Sequence, residues 1–252
     1  MKYPSAFAQY PIETLRDLLF KATDRYGNRP ALGAKRDGAY RMLTYLELRA
    51  QVETLGTWLS HLGLAKGDRV ALISENCPEW AITYLAVACS GFTVVPIDKD
   101  LCDHEIRHIL HFSGARVLVG GNDYIRVLGE PDAGATAVEC VVSMGGRIEE
   151  SDLSFEEALA QGSSRLQDGD HRFADTTVAP DDLATLIFTS GTTGAPKGVM
   201  LSHQNIVSNI VGTSAHVAID HDDVLLSVLP LHHTYESTAG FLTALYQGAS
   251  IC

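Results

Sequence analysis

Apolar runs typical of buried strands alternate with segments of helical spacing along most of the chain, which has 252 residues. The sequence predicts strands over residues 69–74, 92–97 and 116–120, and helices over residues 79–90 and 103–112. Strands that are separated by helices usually pair in parallel. The alternation therefore predicts an α/β fold, with layered and mostly parallel sheets flanked by helices.

The chain turns polar and loses its hydrophobic periodicity between residues 161 and 182. This stretch follows a predicted strand at 139–143 and a predicted helix at 154–161. It is the best candidate for a connection between two subdomains. We therefore predict a first α/β subdomain over residues 1–170 and the start of a second over residues 171–252.

One apolar stretch, residues 80–97, carries no charge over 18 positions and so reaches the lower limit for a membrane-spanning helix. Ser90 and Gly91 interrupt it, and the β-branched residues that follow end at Pro96. A buried helix, a glycine turn and a strand explain this pattern better than a helix in lipid. We therefore predict no transmembrane segment.

The charge and the cysteines exclude several classes of protein. A formal net charge of −12 repels nucleic acid and anionic membranes, so no nucleic-acid partner is predicted. The five cysteines are odd in number and contain no C-x-x-C pair. This usage is typical of a reducing compartment and predicts a cytoplasmic protein without a disulfide framework or a thiolate zinc site.

A loop of small and hydroxyl-bearing residues follows a predicted apolar strand at 183–188. Its glycines allow positive φ angles and a close approach to a ligand, while its hydroxyls and backbone amides supply hydrogen-bond donors. Lys197 adds one positive charge. Such a loop suits a polyanion, and a triphosphate above all. The run is Thr189-Ser190-Gly191-Thr192-Thr193-Gly194-Ala195-Pro196-Lys197-Gly198.

Two other interpretations of this loop fit the sequence less well. A flexible glycine- and threonine-rich loop with an incidental lysine has the same composition, although its position directly after a buried strand favours a binding role. The G-x-x-x-x-G-K-[ST] phosphate loop does not match, because Pro196 stands where its second glycine belongs and Gly198 follows the lysine. Kinase-type and GTPase-type chemistry is therefore disfavoured.

At each of its ten positions the loop resembles the signature of the acyl-adenylate-forming superfamily, the AMP-dependent synthetases and ligases. The resemblance extends over nearly the whole chain. Leu43–Leu48, Gly67–Leu72, Gly91–Ile97 and Leu201–Asn205 are similar to the family's flanking segments, and Ser202 is placed as a helix N-cap. The similarity is greatest to long-chain fatty acyl-CoA synthetases, and it covers the N-terminal portion of such enzymes.

The resemblance implies a ligase that activates a carboxylic acid with ATP and transfers the acyl group to coenzyme A, with Mg²⁺ on the phosphates. Lys197 would be catalytic by offsetting charge on the departing pyrophosphate, and Thr189 would lie nearest the metal. The predicted phosphate-binding residues are Thr189, Ser190, Gly191, Thr192, Thr193, Gly194 and Lys197. The predicted partners are small molecules only: ATP, the acid and coenzyme A.

A second family landmark, Leu229–Glu236, contains two adjacent histidines. The resemblance implies that His233 is catalytic and lies beside the carboxyl group that is activated, with Glu236 also on the substrate side. Alone, the two histidines would more simply form a polar rim. The stretch 233–238 has no aspartate, with which amino-acid-activating members of the family usually hold the ammonium group, so the resemblance implies an acid without an α-amine. The His233-x-x-Glu236 spacing resembles long-chain fatty acyl-CoA synthetases and favours a fatty acid, with an aryl acid second. Ser237, however, replaces an arginine common in many long-chain enzymes.

His104-Glu105-Ile106-Arg107-His108 matches the zinc-protease pattern H-E-x-x-H. On a helix the two histidines would share one face, but the longer zinc motif does not continue, and the segment also resembles a surface helix of the adenylating family. A solvated helix face is the preferred interpretation. A hydrolase triad is disfavoured too, because the sequence contains no G-x-S-x-G elbow.

The chain stops at what resembles the beginning of a core strand, residues 248–252. The resemblance implies that the adenine contacts and a mobile C-terminal domain with a further catalytic lysine would follow. We therefore expect an N-terminal portion of a ligase, inactive in isolation and dependent on the remaining C-terminal part of the same enzyme. The alternative is a nucleotide-binding or partner-binding module that has lost catalysis.

Overall fold

The structure is a computed structural model that describes residues 10–36, 38–126, 136–147, 152–189 and 197–252. Most of the strands that it describes belong to one large sheet, and the others form a small one. The strands are β1 (Pro30–Arg36), β2 (Ala39–Thr44), β3 (Arg69–Ile73), β4 (Thr93–Pro96), β5 (Val117–Gly120), β6 (Cys140–Ser143), β7 (Leu153–Ser154), β8 (Leu183–Thr189), β9 (Lys197–Ser202), β10 (Val224–Leu225) and β11 (Ser250–Ile251).

Helices cover both faces of the large sheet. They are α1 (Leu15–Tyr26), α2 (Tyr45–Leu59), α3 (Pro78–Cys89), α4 (Asp103–Ser113), α5 (Asn122–Ile125), α6 (Phe155–Gln167), α7 (Arg172–Asp175), α8 (His203–Ser214) and α9 (Thr243–Gln247). A π-helix, Glu236–Leu242, leads directly into α9.

The large sheet has the strand order β7-β6-β5-β3-β4-β8-β9. All neighbouring strands are parallel except β8 and β9, which form an antiparallel hairpin at one edge. The predicted α/β fold of mostly parallel sheets flanked by helices is confirmed. The small sheet has the order β10-β11-β1-β2, in which only β1 and β2 are antiparallel.

Alternation along β3 divides the core into two layers, one on each face of the large sheet. Val70 and Leu72 belong to the larger layer, which also contains most of α3, whereas Ala71 and Ile73 belong to the smaller layer under α4. Successive side chains of a strand point to opposite faces, so each face needs its own helical cover. A strand that is buried on both faces reads as a continuous apolar run, as this one does.

The helix boundaries follow local signals that the sequence carries. α8 begins with a capping box, in which the Asn205 N–H donates to Ser202 Oγ at 3.3 Å and the Ser202 N–H donates to Asn205 Oδ1 at 3.0 Å. The predicted N-cap role of Ser202 is confirmed. α4 ends at Gly114, whose left-handed φ of 61° disfavours any side chain with a Cβ atom.

The polar stretch at 161–182 contains more structure than its composition predicts. α6 continues to Gln167 and α7 follows, with Phe173 buried against the core. Strands from both sides of residue 170 lie in both sheets. The division into residues 1–170 and 171–252 stays a prediction.

The uncharged stretch at 80–97 folds as most of α3, a turn at Gly91 and the strand β4. Both elements are buried in the core of the domain. Across the described part of the chain, no helix combines the length and the apolar character that a membrane crossing needs.

Candidate functional site

The parallel strands β3, β4, β5 and β8 all end at one edge of the large sheet. From β3 the chain passes through α3 to β4, and from β4 it returns through α4 to β5 on the other side of β3. The loops after β3 and β4 therefore lead to helices on opposite faces. Such a switch point leaves a crevice at the carboxyl ends of the strands, where α/β proteins bind their ligands.

Thr189 is the last residue of β8, and Lys197 is the first residue of β9. The two are register partners in the antiparallel pair, so both ends of the predicted phosphate loop leave the sheet side by side. Both side chains are exposed at this edge. The other predicted phosphate-binding residues, Ser190, Gly191, Thr192, Thr193 and Gly194, lie outside the described residues.

The loop after β4 leaves the sheet beside the phosphate loop. Val94 of β4 pairs with Thr185 of β8; Thr189 ends β8 four positions later, and Asp98 lies two residues after β4 ends at Pro96. The two residues therefore lie at the same edge of the sheet, at or just beyond the ends of adjacent strands. This placement gives Asp98 a position in the site that the sequence analysis did not predict.

Asn76, in the loop after β3, holds the segment that carries the two histidines. Its Nδ2 donates to Ser227 Oγ at 2.9 Å and to the Leu229 carbonyl oxygen at 2.7 Å. Its Oδ1 accepts from the Leu231 N–H at 3.1 Å. These bonds fix residues 227–231 over the crevice, so the next residues face the loop after β4.

His232 faces Asp98 across the crevice. Its Nε2 lies 3.3 Å from Asp98 Oδ1, and its side chain is only 9% exposed. Burial lowers the pKa of His232, an effect that the nearby Asp98 carboxylate opposes. The imidazole is therefore neutral at pH 7. The sequence analysis gave His232 no role, because only its neighbour matched a family position.

His233 is exposed, and its ring centroid lies 4.5 Å from that of His232. One turn later Glu236, only 7% exposed, begins the π-helix. Gly240 makes room for its carboxyl group, since a Cβ atom at that position would overlap the carboxylate oxygens. Burial raises the pKa of Glu236. The short π-helix thus places a buried acid near the two histidines, and such irregular turns are common at functional sites.

A cavity of about 340 Å³ adjoins this segment. Leu231, Ala81 and Phe241 supply apolar surface, and Asn76 and Cys77 line it at the end of β3. On its other side the cavity reaches the small sheet at Ile251. It therefore offers apolar space at Leu231, the residue that precedes the histidine pair.

The H-E-x-x-H segment lies on α4, which agrees with both the zinc-site and the surface-helix interpretations. The cluster that could hold a metal ion there consists of Cys102, His104 and Glu105, with Cys102 Sγ 3.0 Å from His104 Nδ1. His108 instead stacks on Phe112, with the ring centroids 6.0 Å apart. Within the described ranges, His104 and His108 do not share a candidate metal cluster.

The chain is similar to known proteins over most of its length. The sequence pattern of the AMP-binding enzyme family matches residues 19–252. The chain is 30% identical to the peroxisomal long chain acyl-CoA synthetase 7 of Arabidopsis thaliana, over 99% of this chain and 37% of that protein. It is also 30% identical to 4-coumarate–CoA ligase 3 of Oryza sativa subsp. japonica, over 94% of this chain and 41% of the relative.

Among solved structures, the chain resembles a long-chain-fatty-acid-CoA ligase from Archaeoglobus fulgidus, with a TM-score of 0.81 and 25% sequence identity. The match covers all of this chain and 49% of that one. The chain thus spans between about a third and a half of the length of the relatives described here.

Proposed function

Because the chain belongs to the AMP-binding enzyme family, we propose that it supplies the phosphate loop and the acid-binding side of an ATP-dependent acid–thiol ligase. The observation that carries this proposal is the convergence of three segments at the carboxyl edge of one sheet. The hairpin ends Thr189 and Lys197, the loop at Asp98 and the histidine segment all meet there.

The proposed reaction has two steps. A carboxylate oxygen of the acid attacks the α-phosphorus of ATP, and the bond to the bridging oxygen breaks, which gives an acyl-adenylate and pyrophosphate. The thiol sulfur of coenzyme A then attacks the acyl carbonyl, and AMP leaves. A carboxylate is a weak nucleophile, so the first step depends on positioning and on neutralisation of the phosphate charge.

We assign the phosphate side of the site to the hairpin. The exposed Lys197 ammonium at the start of β9 offsets charge on the departing pyrophosphate. The hydroxyls and amides of Ser190, Gly191, Thr192, Thr193 and Gly194 hold the phosphate oxygens. The net charge of −12 opposes an anionic ligand, so these local donors must outweigh the global field.

We assign the acid side to the histidine segment. His233 is exposed at the mouth of the crevice, where its ring can contact the carboxyl group of the acid. Glu236 follows one turn later at the start of the π-helix, and burial raises the pKa of its carboxyl group. The apolar cavity next to Leu231 accommodates the hydrocarbon part of the substrate.

A fatty acid is the substrate that this lining favours, because the cavity presents chiefly apolar side chains. One of the two relatives is a long-chain acyl-CoA synthetase, and the other is a 4-coumarate–CoA ligase. An aryl acid is therefore the alternative to be tested. A cytoplasmic location belongs to the same proposal and is supported by the cysteine usage.

The oxygen donors on the phosphate side of the site suit Mg²⁺. The exposed Thr189 hydroxyl ends the strand that leads into the loop, and hydroxyl and phosphate oxygens are ligands that Mg²⁺ prefers. When bound, the ion neutralises charge on the β- and γ-phosphates. Thr189 would then hold the ion in place beside the loop.

Acid-dependent exchange between ATP and labelled pyrophosphate tests the proposal in the full-length gene product. We expect exchange to depend on medium-chain or long-chain fatty acids and to exceed that with 4-coumarate. Exchange driven best by 4-coumarate would retain the ligase and overturn the fatty acid. An absence of exchange with every acid would overturn the proposed reaction.

A further inference from the structure

We propose that Asp98, His232 and His233 form a binding site for a divalent transition metal ion of the zinc class. One nitrogen of each imidazole and one carboxylate oxygen lie within 4.8 Å of one another. The three residues come from two segments, the loop after β4 and the segment that follows β10. The site is thus created by the fold rather than by a local sequence motif.

The spacing already suits such an ion. A zinc ion about 2.0 Å from each ligand atom holds two tetrahedral ligands roughly 3.3 Å apart. His232 Nε2 and Asp98 Oδ1 are 3.3 Å apart before any ion is added. His233 is exposed, so a rotation of its side chain can bring its nitrogen into the same shell.

His232 Nε2 is a buried polar atom without a hydrogen-bond partner among the described residues. Although Asp98 Oδ1 is near, the geometry does not make a hydrogen bond, and more than nine-tenths of the side chain is buried. Buried polar atoms normally have partners, so an unpaired one needs an explanation. A metal ion between the nitrogen and the carboxylate would satisfy both.

The surrounding residues hold the ligands in position. Asp98 Oδ1 accepts from the Asp100 N–H at 2.9 Å, which orients the carboxylate. Asn76 fixes the segment before His232 through the bonds described above. The Lys99 ammonium lies 2.9 Å from Asp100 Oδ1 and 3.4 Å from Glu75 Oε1, so other carboxylates engage this cation. Oriented ligands of this kind raise metal affinity.

The donor set decides the class of ion. Two imidazoles and one carboxylate suit zinc, cobalt, nickel or copper, whereas magnesium and calcium prefer oxygen ligands only. Three protein ligands leave a fourth position for water or for another ligand. If His233 serves the acid side as proposed above, a bound ion would compete with the acid. Metal binding itself does not depend on that role.

Titration of the chelator-treated chain with Co²⁺ tests the site, because tetrahedral Co²⁺ gives a visible absorption band and Zn²⁺ can then displace it. We expect one equivalent to bind. His232→Ala and Asp98→Asn should each weaken binding by at least about tenfold. His233→Ala is a third variant and should weaken binding likewise; its side chain is exposed, so its loss leaves the core intact.

The paired control is Cys102→Ser with His104→Ala, which removes the other candidate cluster. This control should bind Co²⁺ with the same affinity as the parent chain, as followed by the absorption band. Thermal unfolding of each variant shows whether it is folded. The proposal is wrong if the chain binds no equivalent of Co²⁺, if the band disappears in the control, or if folded His233→Ala and Asp98→Asn variants bind as tightly as the parent.

Discussion

Thr189 and Lys197 are register partners across the β8–β9 hairpin. Both residues therefore leave the sheet side by side, at the edge where β3 and β4 also end. Backbone pairing thus fixes Lys197 at the start of β9, at one end of the predicted phosphate loop.

Lys197→Ala in the full-length enzyme should slow adenylate formation by about ten- to a hundredfold, because one charge-assisted contact to the leaving pyrophosphate is lost. Lys197→Arg should recover little, since a planar guanidinium is wider than an ammonium group. Single-turnover formation of the acyl-adenylate measures both. Lys21→Ala, at a half-buried lysine on α1 that pairs with Asp17, is the control and should not change the rate. A rate for Lys197→Ala equal to that control would contradict the assignment.

His233→Ala should change the dependence on the carboxylic acid and leave ATP binding near normal. The physical reason is position, because His233 lies on the histidine segment and Lys197 on the hairpin. Steady-state kinetics with varied acid, together with ATP binding measured by calorimetry, separate the two effects. If ATP binding weakened and the acid dependence stayed unchanged, our division of the site into a phosphate side and an acid side would be wrong.

Asn76→Ala should displace the histidine segment and so raise the KM for the acid more than the KM for ATP. The substitution removes the amide group that donates to Ser227 and Leu229 and accepts from Leu231. Each lost hydrogen bond costs about 1 kcal/mol, so the free energy of unfolding should fall by about 1–3 kcal/mol. Urea unfolding and steady-state kinetics measure the two effects. Ser227→Ala removes only one of these bonds and should have a smaller effect on both. Equal changes in the two KM values would show that Asn76 has only a general structural role.

The sequence predicts the elements that local patterns determine. The ends of β3 and α3 are each within one residue of their predicted positions, because a continuous apolar run and a helical segment are both local signals. Asn76 and Asp98 could not be predicted in the same way. Asn76 contacts a carbonyl 153 positions away, and Asp98 and His232 are brought together only by the packing of segments that are distant in the chain. One weak signal was available, since both residues closely follow predicted parallel strands.

The 252-residue chain alone should show no acid-dependent exchange between ATP and pyrophosphate, whereas the full-length gene product should. The reason is coverage, because the chain spans only 37% of the long-chain acyl-CoA synthetase to which it was compared. Exchange assays on both proteins at equal concentration test this expectation. Robust exchange by the short chain would show that the residues described here form a complete site for adenylation.

His203 should make the stability of the fold depend on pH. The side chain is fully buried, and its Nδ1 accepts from the Leu15 N–H at 3.1 Å. Burial lowers the pKa of His203 from 6.5 to about 4, although the charge of Asp182 opposes this. Because the pKa is lower in the folded state, the unfolded chain binds more protons between these values. This contribution to stability is complete above pH 6.5 and decreases as the pH falls towards 4.

The expected loss from this one group is roughly 3 kcal/mol between pH 7 and pH 4, at about 1.4 kcal/mol for each pH unit. His203→Asn offers an acceptor for the Leu15 N–H and does not titrate, so the free energy of unfolding should fall less steeply in this range. His216→Asn, at an exposed histidine just after α8, is the control and should keep the parent slope. Urea unfolding at several pH values measures all three proteins. If the free energy of unfolding fell equally steeply with decreasing pH in the parent and in His203→Asn, the burial of His203 would not account for the acid sensitivity. The role of His203 would then be independent of pH.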